Sequence, residues 1–288
     1  MKLLTHDRQV VKVVQAQATS DGAGVRLKRS LGTSTLSDLD PFLLLDEFKS
    51  DDPKDYIAGF PSHPHRGFET VTYMIAGSVL HKDSKGNEGI VKAGGVQWMT
   101  AARGIIHSEM PQRQNGLLWG FQLWVNLPSA KKMTDPRYQN IEPEEVPELS
   151  LENGGRIKII AGNLAGVEGV VKGISVDPTY MDIFLPPKAE FSHLIQRRHT
   201  AFVYVFEGEG RFGSGENQKG QLVKTGELGI FGSGEKVTIN TENSAVRFLL
   251  LAGVPLYEPV VRYGPFVMNT NEEIEQAIAD FSDGGLDR

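Results

Sequence analysis

Two pairs of metal-capable side chains, His63-Pro64-His65 and His107-Ser108-Glu109, repeat the same spacing of two residues. Side chains alternate between the faces of a β-strand, so residues i and i+2 project from one side and make a chelating edge. If the two stretches pair as neighbouring strands of a barrel, three imidazoles and one carboxylate converge on a single point. That is the pattern of a mononuclear metal site.

The rest of the chain has to supply such strands. At 288 residues it has room for one large β-domain or for two of about 130–140 residues. Its 40% hydrophobic and 23% charged residues are ordinary for a folded chain, and a net charge of −6 gives no support to direct nucleic-acid binding. There is no cysteine, which excludes disulfides, thiolate zinc sites and thiol redox switching. The first residues lack the sustained apolar run of a secretory signal, and no stretch approaches the ~20 apolar residues of a membrane span. The expectation is a cytoplasmic protein without membrane association.

Short segments rich in β-branched residues, at 10–14, 25–31, 70–75 and 89–92, are each bounded by Gly, Asp or Ser. This punctuation predicts a sandwich or barrel. The stretch 83–87 has hairpin-loop chemistry, with Gly86 at the left-handed position. From Leu127 to Leu149 four prolines interrupt a charged run, which reads as a linker. The β-pattern then resumes from Ile157 to Ala252. Val71–Gly77 and Phe202–Gly208 are alike in outline, as are Val91–Gly94 and Val223–Gly226, which points to two degenerate copies of one β-unit. At the tail, Thr270 to Glu273 reads as a capping box, and Ile274, Ala277, Ile278 and Phe281 recur at helical spacing up to Gly284-Gly285.

Three neutral imidazoles and one carboxylate suit iron(II), manganese, nickel, copper or zinc better than calcium or magnesium, and leave positions open for catalysis. The other histidines, His6, His81, His193 and His199, are read as surface or hydrogen-bonded core residues.

The segment from His63 to Tyr73, the segment from Gln97 to Glu109, the segment from Gln122 to Pro128 and the stretch Asp40 to Phe48 together closely resemble the signature of the pirin family. The resemblance runs from about Asp40 through the carboxy-terminal helix. It implies an all-β bicupin: two stacked double-stranded β-helix (jelly-roll) barrels with a carboxy-terminal helix. Residues 1–127 would form the metal-binding barrel, 128–149 the linker, 150–268 a metal-free barrel, and 269–288 the helix and tail. The family's ligands fall on His63, His65, His107 and Glu109. The ion is expected to be iron(II), with zinc, manganese, nickel, copper and cobalt as alternatives. In the second copy, His63 and His65 correspond to Leu194 and Gln196, and the His107 region to Lys236–Ile239, so no metal is expected there.

Cupins in general place a glutamate shortly after the first histidine pair, which makes Glu69 a rival oxygen ligand. Glu109 takes that role because it matches the pirin position and shares a strand face with His107; Glu69 is left as a partner behind the ligands or a structural surface residue. Arg66 and Arg103 are assigned to loop hydrogen bonds and salt bridges.

Resemblance to the family implies either a flavonol (quercetin) 2,3-dioxygenase using O2, or an iron-dependent regulator that binds a transcription factor or metabolic enzyme. In the first case Glu109, or a metal-bound hydroxide, is the catalytic proton acceptor for the flavonol 3-hydroxyl. Phe60, Phe68, Tyr73, Met99, Met110, Phe121 and Trp124 are candidate walls, though core packing is the better reading for each. In the second case the acidic stretch 142–148 is a candidate docking segment for a protein partner. A zinc or manganese hydrolase or isomerase is a third reading.

Overall fold

The computed structural model describes residues 6–112, 116–215 and 219–287. Strands dominate, joined by short 3-10 turns, and the described residues contain one α-helix, Asn271–Ser282. No helix among them is long and apolar enough to cross a membrane. The chain divides into two units, Gln17–Glu145 with Leu256–Arg288, and Met1–Ala16 with Val146–Pro255.

In the first unit a seven-stranded antiparallel sheet runs in spatial order Arg137–Ile141, Val96–Thr100, Phe68–Ala76, Leu118–Asn126, Phe42–Ser50, Val25–Leu31, Gln17–Asp21. A four-stranded sheet runs Phe60–His65, Ile105–Pro111, Ser78–Asp83, Glu88–Lys92. Leu27, Phe48, Met74 and Leu118 of the larger sheet pack against Val79 and Val91 of the smaller, so apolar faces of both close one core. The period of two is visible in the strand that carries His107: Ile105, His107, Glu109 and Pro111 are buried, while Ile106, Ser108 and Met110 are half-buried. Pro61 and Pro64 are tolerated because Phe60–His65 is an edge strand, with only Ile105–Pro111 beside it.

The second unit is built on one ten-stranded assembly whose main path runs Val10–Gln15, Glu227–Phe231, Thr200–Phe212, Val246–Gly253, Thr179–Leu185, Arg156–Ala161, Glu148–Ser150. The 13-residue strand Thr200–Phe212 also pairs near its far end with Gln221–Lys224 and Lys236–Asn240, and an apolar cluster that includes Ile159, Ile183, Val203, Phe212 and Phe248 fills the interior.

Three expected boundaries are corrected. The amino-terminal strand Val10–Gln15 belongs to the second unit, because it pairs with Glu227–Phe231 and lays Val10 and Val13 on that unit's core. The proline-interrupted stretch is not a free linker. The five proline-free residues Arg137–Ile141 extend the first unit's sheet beside Val96–Thr100, and Glu148–Ser150 joins the second unit beside Arg156–Ala161. Finally, residues 256–268 return to the first unit together with the helix, rather than closing the second.

The helix begins as expected, with the Thr270 hydroxyl accepting from Glu273 N at 3.2 Å and the Glu273 carboxylate accepting from Thr270 N at 3.0 Å. Only half its apolar stripe is covered: Ile274 and Ala277 pack with Phe266, Met268 and Leu286, whereas Ile278 and Phe281 stay partly exposed. The same carboxy-terminal segment reaches the turn that follows His65. Gly67 has φ +92°, and a Cβ there would stand 1.9 Å from the Val267 carbonyl oxygen, so no other residue fits.

Candidate metal centre

Antiparallel pairing sets Ile105 against His65 and His107 against His63, then shifts register so that Glu109 faces Phe60. The three histidines gather as a result. Each offers a ring nitrogen within 4.8 Å of the other two, and the ring centroids of His63 and His107 are 4.4 Å apart. His65 and His107 are buried and His63 is half-buried.

The Pro61 carbonyl lies 2.8 Å from His63 Nδ1 and accepts its proton, which leaves the lone pair of the neutral ring on Nε2. That atom stands 3.0 Å from His65 Nε2. Two bonds of about 2.1 Å meeting at a right angle leave their nitrogens about 3.0 Å apart. His107 Nε2 is buried without a hydrogen-bond partner. Burial, and next the neighbouring histidines, hold the His65 and His107 imidazoles well below the usual histidine range. Neutral rings with converging lone pairs, one of them otherwise an orphan, fit a borderline divalent cation.

Glu109 lies on the same strand face and lines the same cavity, but its carboxylate is engaged sideways. Oε1 is 2.8 Å from the Thr72 hydroxyl and Oε2 is 3.4 Å from Gln122 Nε2. Thr72, Phe68 and Glu69 share one strand, and the alternation separates them: Thr72 meets Glu109 and Phe68 meets His65, while Glu69 points to the opposite face. There Glu69 Oε1 accepts from the Thr100 hydroxyl at 2.6 Å, and burial raises its pKa. Glu69 is therefore neither behind the histidines nor at the surface as expected: it is buried on the other face of its strand, held by Thr100.

Arg66 and Arg103 do what the sequence suggests. Arg66, buried, donates through Nε to the Arg103 carbonyl, through Nη1 to Asp280 at 2.7 Å and through Nη2 to the Leu286 carbonyl at 3.3 Å. Arg103 pairs with Asp135 at 3.0 Å. His199 faces Asp177 at 3.6 Å and His193 stacks on Phe191, both in the second unit.

His81 is a hydrogen-bonded core residue, as expected, and the structure adds where it sits: it is buried beside the three histidines, with Nδ1 3.3 Å from His107 Nδ1. The signal was present, since His81 and Asp83 repeat the spacing of two seen in the ligand pairs.

His63 and His65, with Glu109, line a cavity of about 490 Å³. Its apolar wall is formed by Leu27, Leu44, Phe48, Phe60 and Trp124, and Arg262 is the one cationic side chain lining it among the described residues. The Arg262 guanidinium sits 4.5 Å from the Trp124 ring centre, and Trp124 in turn meets His65 edge-on at 5.3 Å. Of the candidate walls, Phe60 and Trp124 line the cavity. Phe68 backs Trp124 and His65, and Tyr73, Met99 and Phe121 are core.

Comparison with known proteins follows the same lines. The family model Pirin matches residues 24–125, and the Pirin C-terminal cupin domain matches residues 180–287. A Pseudomonas aeruginosa protein named provisionally as a quercetin 2,3-dioxygenase is 46% identical over 287 residues, covering 98% of this chain and 99% of its own. Human pirin is 43% identical over 277 residues, covering 95% and 92%. The crystal structure of a quercetin 2,3-dioxygenase from Acinetobacter baumannii superposes with a TM-score of 0.89 at 35% identity, covering 97% of this chain and 98% of that one. With models matching both halves and relatives matching nearly the whole length, the chain belongs to the pirin family and is a bicupin.

Proposed function

We propose that this protein is a flavonol 2,3-dioxygenase of the quercetinase type that holds one iron(II) ion on His63, His65 and His107, with Glu109 as the fourth donor. One observation carries the reading: three clustered imidazoles, two of them buried, gather at the edge of a largely apolar cavity of a size typical for small-molecule sites, which His63 and His65 line. The ion would supply Lewis acidity and a one-electron couple where substrate and dioxygen meet.

The chain's own residues supply the rest. Leu27, Leu44 and Phe48 exclude water from one side of the cavity, and Phe60 and Trp124 offer faces for a flat aromatic substrate. Glu109 is buried, lines the cavity and is held by Thr72 and Gln122, which supports a role for it as acceptor of the flavonol 3-hydroxyl proton. Arg262, held over Trp124, faces the electron-rich side of a bound polyphenol.

The test is incubation of iron-loaded protein with quercetin in air, following carbon monoxide release and loss of flavonol absorbance. Wild type should release one carbon monoxide per flavonol consumed, and the His107→Ala variant should release none. Equal rates for the two proteins would remove the proposal. Elemental analysis of protein purified without added metal tests the choice of iron.

A further inference from the structure

Beyond the three ligands, we infer that His81 is a positioning residue that fixes the tautomer and ring angle of His107 through a hydrogen bond to its non-ligating nitrogen. This rests on the proposed three-histidine centre but not on any substrate.

The directions follow from the geometry. His107 Nε2 is the buried nitrogen without a partner, so it is the one that faces the ion. A neutral imidazole that gives its Nε2 lone pair to a metal carries its proton on Nδ1. Among the described residues that proton has one receiver in reach, His81 Nδ1 at 3.3 Å. His81 therefore accepts at Nδ1 and carries its own proton on Nε2. His81 Nε2 points toward Asp83, whose Oδ2 is 4.0 Å away, an electrostatic distance rather than a hydrogen bond. Asp83 is itself held in place, since its carboxylate accepts from Lys85 N at 2.9 Å, Asn87 N at 2.8 Å and Asn87 Nδ2 at 2.8 Å. The row Asp83, His81, His107 thus has one consistent pattern of protons, and the loop at 83–87 anchors its outer end.

The strands make this row unavoidable. Ser78–Asp83 is the neighbour of Ile105–Pro111, with His81 opposite Glu109 and Asp83 opposite His107. His81 is thereby diagonal to His107 on the buried face, and its ring is wedged against Tyr138 at 5.1 Å. Partners of this kind orient ligating imidazoles and raise their basicity, and their loss typically costs about 10–100-fold in metal affinity.

Two variants separate hydrogen bonding from packing. His81→Phe keeps a ring and removes the acceptor; His81→Asn loses the ring and keeps an oxygen acceptor near the Nδ1 position. Dissociation constants for zinc(II) are measured by chelator competition, and the cobalt(II) ligand-field spectrum reports the geometry. His81→Phe should weaken zinc binding by about 10–100-fold and shift the cobalt bands, while His81→Asn should recover most of the affinity and the wild-type spectrum. Nitrogen-15 spectra of wild-type, zinc-loaded protein give a readout that does not depend on variants folding. They should show His107 protonated on Nδ1 and His81 on Nε2.

A His81 ring protonated on Nδ1, or a His81→Phe protein with wild-type affinity and spectrum, would overturn the inference while leaving the metal centre intact. So would a His81→Asn protein as weak as His81→Phe. Failure of the wild type to bind zinc or cobalt would instead remove the centre itself.

Discussion

The Nε2 atoms of His63 and His65 stand 3.0 Å apart with the Nδ1 proton of His63 already committed to the Pro61 carbonyl. Two nitrogens this close either share one proton or share a cation. A cation that binds the folded chain and not the unfolded one adds stability by mass action, about 2.7 kcal/mol at a hundredfold excess over its dissociation constant. Metal loading should therefore raise the melting temperature by about 5–10 °C, and His65→Ala should abolish the increment. Calorimetry with and without a chelator checks this; an increment that survives in the variant would place the ion elsewhere.

Glu109 depends on Thr72 for its aim, through a contact of 2.8 Å in a buried setting. Removing that hydroxyl with Thr72→Val should leave bound metal unchanged and lower kcat for flavonol cleavage about tenfold, equivalent to about 1.4 kcal/mol. Glu109→Gln should cost about 100-fold or more. Turnover numbers read beside metal content decide it, and an undiminished kcat in Thr72→Val would show that Glu109 needs no such support.

Arg66 ties the residue after His65 to the carboxy-terminal helix through Asp280 at 2.7 Å. The arginine side chain is 4% exposed and the aspartate 29%, so the pair is anchored from one side only. Asp280→Ala should destabilise the protein by about 1–2 kcal/mol, less than the loss of a fully buried pair. It should also weaken metal binding several-fold, because the turn at Arg66 and Gly67 sets where His65 points. Denaturant melts and metal titrations on the same variant test both halves, and unchanged metal affinity would confine the helix to a structural role.

Lys132 gives the protein a pH signature at the alkaline end. It is buried, donates to the Gly67 and Val267 carbonyls and to Asn126, and burial pushes its pKa down from 10.5 to about 8. The folded protein therefore releases this proton before the unfolded chain does. Below pH 8 both states hold it and the penalty for burying the charge is constant. Between about pH 8 and 10.5 the unfolded chain binds more protons, so stability from this group rises with pH, by about 3 kcal/mol over the window. Lys132→Met should remove that rise. The difference between the two stability profiles is the measurement, and parallel profiles would show that the three oxygen acceptors hold Lys132 near its ordinary value.

The clustering of the three histidines was legible before any tertiary structure. His63, His65, His107 and Glu109 come in pairs two apart, and a spacing of two has one meaning on a strand, so their common faces follow from local geometry alone. The capping box at Thr270 is local in the same sense, since a helix start depends on residues three apart. Glu69 shows where this kind of reasoning stops. Parity says that it opposes Phe68 and Thr72, but not which side of the strand meets the histidines.

What the sequence determined by itself is therefore which metal-capable side chains share a strand face, in pairs two apart, because backbone alternation is a property of each strand. What only the tertiary structure decided is who stands beside whom across strands. It brought His81 to the back of His107 and the tail to the turn after His65, and it gave the first strand, Val10–Gln15, to the second unit. Pairing between strands joins residues far apart in the chain, and the partner is selected by which apolar faces can close a core together, a choice that no single segment carries.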